Sequence, residues 1–203
     1  TALIFLISDS NDTVSISSNF PTASQNKVEI KAGSNLILIP YTGSPATSFD
    51  NMVLWWSSLK GPSAYPGQYK IILKSNAFTD SLYCRIDKDP RFPVTDEDVK
   101  KNYDFIKSLR NKIDEAHKCI LEMRDIKNQM NNFFSGLPDS DSLKELKLIK
   151  SEIDSIFTQV EQNLYQTKNK SNQDPINYPI KLTNKLGHLI ALYGESSFPP
   201  PQQ

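Results

Sequence analysis

A chain of 203 residues, 38% of them hydrophobic, has room for one large domain or two small ones, and its longest apolar runs fall far short of the ~20 residues a spanning helix needs. Its 23 basic side chains balance 23 acidic ones, so no global field draws nucleic acid or an anionic membrane, and neither is expected as a partner. The two cysteines, Cys84 and Cys119, form no CxxC or Cys/His cluster, which excludes the usual structural zinc patterns, and no metal or cofactor is expected.

Residues 1 to about 90 carry alternation and β-branched content between polar turns, the signature of strands. The runs are Ala2 to Ile7, Val14 and Ile16 among Thr13, Ser15 and Ser17, then Val28 and Ile30, and Leu36 to Ile39 before Pro40. Met52 to Trp56 reads as a fifth strand, Tyr69, Ile71 and Leu73 as the face of a sixth, and Leu82, Cys84 and Ile86 as the face of a seventh. Turn formers separate them, among them Gly33-Ser34-Asn35, Gly43-Ser44-Pro45 and Pro66-Gly67. Seven short strands in this length predict an immunoglobulin-like antiparallel β-sandwich over residues 1–90.

Near Asp87 the period changes. Asp89-Pro90-Arg91-Phe92-Pro93 is a rigid connector, and Thr95 with Asp98 is a capping box. A long helix follows to about Phe134, with Ile106, Ile113 and Ile120 repeating every seven residues and Leu109, Ala116, Met123 and Met130 offset by three. Gly136 and Pro138 end it. Ser142 and Glu145 form a second capping box, before a helix whose stripe is Leu146, Ile149, Ile153, Ile156 and Val160. The two seams predict a long antiparallel helical hairpin. Pro179 suits the first turn of a short third helix through Leu182, Leu186, Leu189, Ile190 and Tyr193, and Phe198 to Gln203 is an extended proline-rich tail. The predicted fold is therefore α+β in two parts, residues 1–90 and residues 91–203.

Several of these stretches together resemble a known family. Met52-Val53-Leu54-Trp55-Trp56, then Gly61-Pro62 and Pro66-Gly67-Gln68-Tyr69, the Asp89-Pro90-Arg91 joint, and the run from Gln173-Asp174-Pro175 to Lys185-Leu186 are similar to the C-terminal region of bacterial sortilin-like (VPS10/BNR-repeat) β-propeller proteins. Many of those carry a glycosyl hydrolase label. The resemblance covers roughly residues 26 to 194 in order; the Asp-box motifs of the propeller blades are absent. It implies a periplasmic or secreted parent, a position after the propeller, and the β-propeller part of the parent chain as partner, with any catalytic residues lying elsewhere.

The candidate sites are few. Asp87, Asp89, Asp96, Glu97 and Asp98 cluster at the joint; a glycosidase pair needs two carboxyls about 5 or 6.5–9.5 Å apart, whereas helix capping already accounts for acids in a first turn. Trp55, Trp56 and Tyr65 suit a sugar-stacking platform; on a strand, at most one of the two tryptophans faces the core. Cys84 reads as a buried thiol, and His117 two positions before Cys119 places them on different helix faces, which disfavours a catalytic pair. Asn11-Asp12-Thr13 and Asn169-Lys170-Ser171 match glycosylation sequons, chance matches in a bacterial protein. No catalytic residue is assigned. The expected function is a non-catalytic structural and interaction module; the alternatives are a carbohydrate-binding module of a secreted glycosidase and, last, a glycoside hydrolase.

Overall fold

The structure, a computed structural model, describes residues 2–21, 26–138, 143–196 and 198–200. Among them are six strands: β1 Ala2–Ser8, β2 Asp12–Ser18, β3 Asn26–Ile30, β4 Gly33–Ile39, β5 Gly67–Lys74 and β6 Thr79–Ile86. Three α-helices follow: α1 Asp96–Ser135, α2 Lys144–Leu164 and α3 Leu182–Tyr193, with a 3₁₀ turn at Asp174–Ile176. The chain divides into two compact units, one of Thr1–Pro45, Lys60–Ser108 and Leu192–Gln203, the other of Ala46–Leu59 and Leu109–Ala191.

The first unit holds two antiparallel sheets, β1–β4 and β3–β2–β5–β6. Alternation decides what faces inward. Ile4, Ile37 and Ile39 of the first sheet join Val14, Ile16, Tyr69, Ile71 and Leu73 of the second in one apolar cluster. Each such side chain contributes about 1.5–3 kcal/mol when taken fully out of water. Tyr69 settles its polar end by donating its hydroxyl to the Tyr65 carbonyl at 2.6 Å. After β4 the chain runs alongside its own return: Gly43 N–H donates to Pro62 O at 2.9 Å and Ala64 N–H to Tyr41 O at 2.7 Å. At Gly61 this approach is so tight that a Cβ would stand 2.6 Å from the Gly43 carbonyl carbon.

The capping box forms as expected, Thr95 N–H donating to Asp98 Oδ2 at 3.0 Å and Asp98 N–H to Thr95 Oγ1 at 3.1 Å. Ile106, Leu109, Ile113, Ile120 and Met123 of the α1 seam are buried. In the second unit α1 and α2 run antiparallel: Arg124 bonds Glu161 at 2.9 Å and Lys127 bonds Thr158 at 2.9 Å, so three residues forward on one helix are three back on the other. The α2 stripe is covered only in part. Of its five predicted residues Leu146, Ile149, Ile156 and Val160 are exposed and Ile153 is half-buried, while Phe157 and Leu164, outside the predicted stripe, pack against Ile120, Met123 and Tyr165. A helix laid on one neighbour hides one flank of its stripe and leaves the other to solvent. The box at Ser142 and Glu145 falls partly outside the described residues, since Ser142 is not among them. Pro179 precedes α3 instead of opening it; its carbonyl accepts from Gln166 Nε2 at 2.9 Å.

The fifth predicted strand is absent. Met52 to Trp56 has no ladder partner; it lies in an irregular stretch, residues 46–59, that belongs to the helical unit. Asn51 and Trp56 hold φ values of 58° and 46°, in the left-handed region no strand uses.

Substituting Gly61→Ala should cost about 1–3 kcal/mol by forcing two backbone legs apart, read as a lower denaturant midpoint at unchanged slope.

Candidate functional site

Residues 46–59 turn back on themselves without a sheet, so their polar backbone groups need other partners. Helix side chains supply them. Asp114 Oδ1 accepts from Thr47 N–H at 2.8 Å and from Thr47 Oγ1 at 2.7 Å, and His117 Nδ1 donates to Thr47 O at 2.6 Å. Tyr165 Oη accepts from Val53 N–H at 2.8 Å. The Asn184 amide then grips Trp55 from both sides, Oδ1 accepting from its N–H at 2.8 Å and Nδ2 donating to its carbonyl at 2.8 Å. His188 Nδ1 donates to Trp56 O at 2.9 Å, and Ser58 N–H donates to Gly187 O at 2.9 Å. A methyl on Gly187 would meet Ser57 Cβ at 3.0 Å, so this glycine sets how closely the segment lies on α3.

The clamp turns both indoles outward. Trp55 and Trp56 are 44% and 75% exposed, with ring centroids 6.1 Å apart and planes 40° to each other. Neither is a core residue, because the backbone is not a strand and the two-face alternation does not apply. Holding tryptophan at positive φ costs about 1–3 kcal/mol and persists only where neighbours over-determine it. Tyr65, the third platform candidate, belongs to the other unit and packs edge-on to Tyr103 at 5.1 Å.

The acids at the joint are engaged singly. Asp87 accepts from Arg85 Nε at 2.6 Å, and Asp89 from Arg91 Nε at 2.9 Å. Glu97 pairs with Lys101 at 3.0 Å, and Asp96, Glu97 and Asp98 occupy the first turn of α1. Hydrogen bonds from Arg91 hold Asp89 down at about 2, and those from Thr95 lower Asp98. A general acid for glycoside cleavage needs the opposite shift. Cys84 is half-buried against the sheet core and burial pushes its thiol up, whereas Cys119 is exposed; both are free. Asn169 is buried, out of reach of a glycosylating enzyme. Among the described residues no cluster of histidine, cysteine or acids is grouped to hold a metal ion, and no helix is long and apolar enough to cross a membrane.

A second feature lies on the first unit. The outward residues of β1 and β4 are large and apolar except Ser34, which lies across from Ile7: Leu3, Phe5, Ile7, Leu36 and Leu38, with Phe5 and Ile7 78% and 79% exposed. The register sets Leu3 across from Leu38 and Phe5 across from Leu36, so the side chains form one continuous face.

Compared with family models, with curated proteins and with solved structures, the chain finds no match in any of the three.

Sequence reasoning found the tryptophans but missed what holds them. Asn184 and His117 were the available signals, as polar residues set among the apolar positions of their helices.

Two outcomes are expected. Asn184→Leu should cost about 1–3 kcal/mol by leaving the Trp55 N–H without a partner and its carbonyl with the Ser57 hydroxyl alone; as the chain's two tryptophans are adjacent, its emission spectrum should shift with it. Asp114, bonded by Lys118 and Thr47, has its carboxyl lowered below the ordinary carboxylate range. Its stabilisation is therefore full above pH ~4 and is lost as the pH falls below that. Asp114→Asn should lower stability by about 1 kcal/mol at pH 7, and the gap to wild type should close on acidification. Burial lowers the His117 imidazole below its ordinary value, so it adds to the same loss as the pH falls below ~6.5, where the unfolded chain takes up a proton more readily than the folded one.

Proposed function

We propose that this chain is a non-catalytic structural and interaction module, the C-terminal part of a larger secreted or periplasmic β-propeller protein of the sortilin-like kind. The observation that carries the reading is the apolar face of β1 and β4. Monomeric proteins rarely leave five large apolar side chains contiguous on a sheet surface, and such a face marks a protein interface. The partner is the propeller portion of the parent.

The finer fold reading is an immunoglobulin-like sandwich. In that fold one sheet pairs strands B and E and the other can run C′-C-F-G. The order β1–β4 and β3–β2–β5–β6 fits those positions with β1 as B, β2 as C, β3 as C′, β4 as E, β5 as F and β6 as G. The Tyr69 hydroxyl reaching back to Tyr65 O, at the start of the strand placed as F, is the contact expected of a tyrosine corner.

A second reading, a carbohydrate-binding module, is favoured by the exposed, clamped pair Trp55 and Trp56. Aromatic faces held open on a rigid backbone suit sugar rings.

The test mixes the chain with the propeller portion of the same reading frame and reads binding heat. Phe5→Asp with Leu38→Asp should weaken association at least ~tenfold and leave thermal unfolding in place, since neither side chain is in the core. Association that ignores both changes, or a reading frame without propeller blades, removes the proposal. Oligosaccharide binding lost in Trp55→Ala or Trp56→Ala, with the fold intact, would establish the second reading in its place.

A further inference from the structure

In the helical unit the pair α1 and α2 has two sides, and they differ. Arg124 and Thr158 line a cavity together with residues 49–53, which marks the side on which that segment lies. A helix turns once in about 3.6 residues, so nine residues make about two and a half turns and reverse the side. Phe133 stands nine positions after Arg124, and Ile149 nine positions before Thr158. Both therefore point away from the segment, and Ile126, Ile156 and Val160 share their side. All five are exposed, Phe133 and Ile156 by 60% and 57%.

Their spacing selects the shape of what covers them. Ile126 and Phe133 are a heptad apart on α1, as are Ile149 and Ile156, and Ile153 and Val160, on α2. Heptad-spaced side chains on two antiparallel helices leave between them a row of holes for the side chains of a third helix. A strand, with a period of two, matches no such row. From Leu146, also exposed, to Val160 the face runs about 21 Å, or about four turns of a helical occupant.

The rim selects its charge. Glu122 stands four positions before Ile126, Glu145 four before Ile149 and Glu152 four before Ile156, so each exposed carboxylate flanks the apolar row. Over the length of this face, among the described residues, no lysine or arginine falls beside them. Arg124, Lys127 and Lys150 are turned elsewhere, bonded to Glu161, Thr158 and Asp154. The acidic rim repels a second copy, which brings the same glutamates, and an anionic bilayer alike; it attracts a helix edged with lysine or arginine.

We propose that this face docks an amphipathic helix of a partner protein, about four turns long, with large apolar side chains on its buried stripe and basic ones along its edges, so that the hairpin becomes a three-helix bundle. This goes beyond the apolar face of β1 and β4, and its failure would leave that reading as it is.

The probe is a synthetic peptide of about 18 residues with leucine at the a and d positions of its heptads and lysine beside them. One counterpart carries glutamate in place of lysine; another has the same composition in an order without a stripe. Fluorescence anisotropy with the whole chain should show the lysine peptide bound and both counterparts at least ~tenfold weaker. Phe133→Gln with Ile156→Gln should weaken the lysine peptide at least ~tenfold while thermal unfolding holds, since both side chains are exposed and glutamine suits a helix. Glu122→Gln with Glu152→Gln should weaken it at least ~threefold and flatten its salt dependence; should the first variant fail to fold, this one decides alone. No binding of the lysine peptide, the glutamate peptide bound as well, or binding unchanged in both variants would each overturn the proposal. So would a dimer of the free chain that Phe133→Gln with Ile156→Gln dissociates, which would give the face to a second copy.

Discussion

Backbone amides and carbonyls that leave water must find partners, and residues 46–59 find theirs on helices. Thr47 is held by Asp114 and His117, Val53 by Tyr165, Trp55 by Asn184 and Ser58 by the Gly187 carbonyl. These are groups from three separate parts of the helical unit, so the segment and the helices define one another. The polar groups involved are costly to bury unless matched. Each side-chain match also fixes a rotamer: the His117 ring, for example, is packed edge-on to Phe49 at 5.3 Å while it bonds Thr47. Arg124, over the face of Phe49 at 4.4 Å, ties the same ring to the pairing of α1 with α2.

That arrangement bears on function through what it leaves outside. A segment anchored by its backbone is free to point its side chains away, and this one points two indoles at solvent. The strain at Trp56 is held in place by the bonds to its own carbonyl and to the residue before it. The sheet unit shows the complementary design. Its inward residues make a sufficient core, and the outward residues of β1 and β4 are as apolar as the inward ones. A two-stranded sheet that is apolar on both faces is unusual in water; it is the composition of a sheet covered on both sides.

Much of this was legible in the sequence, and the exceptions have physical causes. The six strands and the three helices stand out because a period of two or of 3.6 is a local property. The buried α1 seam follows from its heptads, and the first-turn acids were rightly read through the reciprocal bonds of Thr95 and Asp98. Met52 to Trp56 misled because its apolar and aromatic content is that of a strand. What decides its conformation lies 129 positions away, at Asn184, and no local window contains that. The α2 stripe misled in another way: spacing tells which residues share a face, not whether a neighbour covers it. The outer face of β1 was hidden by its own uniformity, since an unbroken apolar run does not say which alternate residues turn inward.

The most direct measurement is native-state amide hydrogen exchange on Val53, Trp55 and Ser58. These amides lie in no helix or strand, yet each has a partner on the helical unit. The account predicts protection approaching that of Ile71 in the core of β5, because opening them requires breaking the clamp. Exchange at the rate of a free loop would contradict it, and with it the claim that buried helix polar groups build the tryptophan-bearing surface.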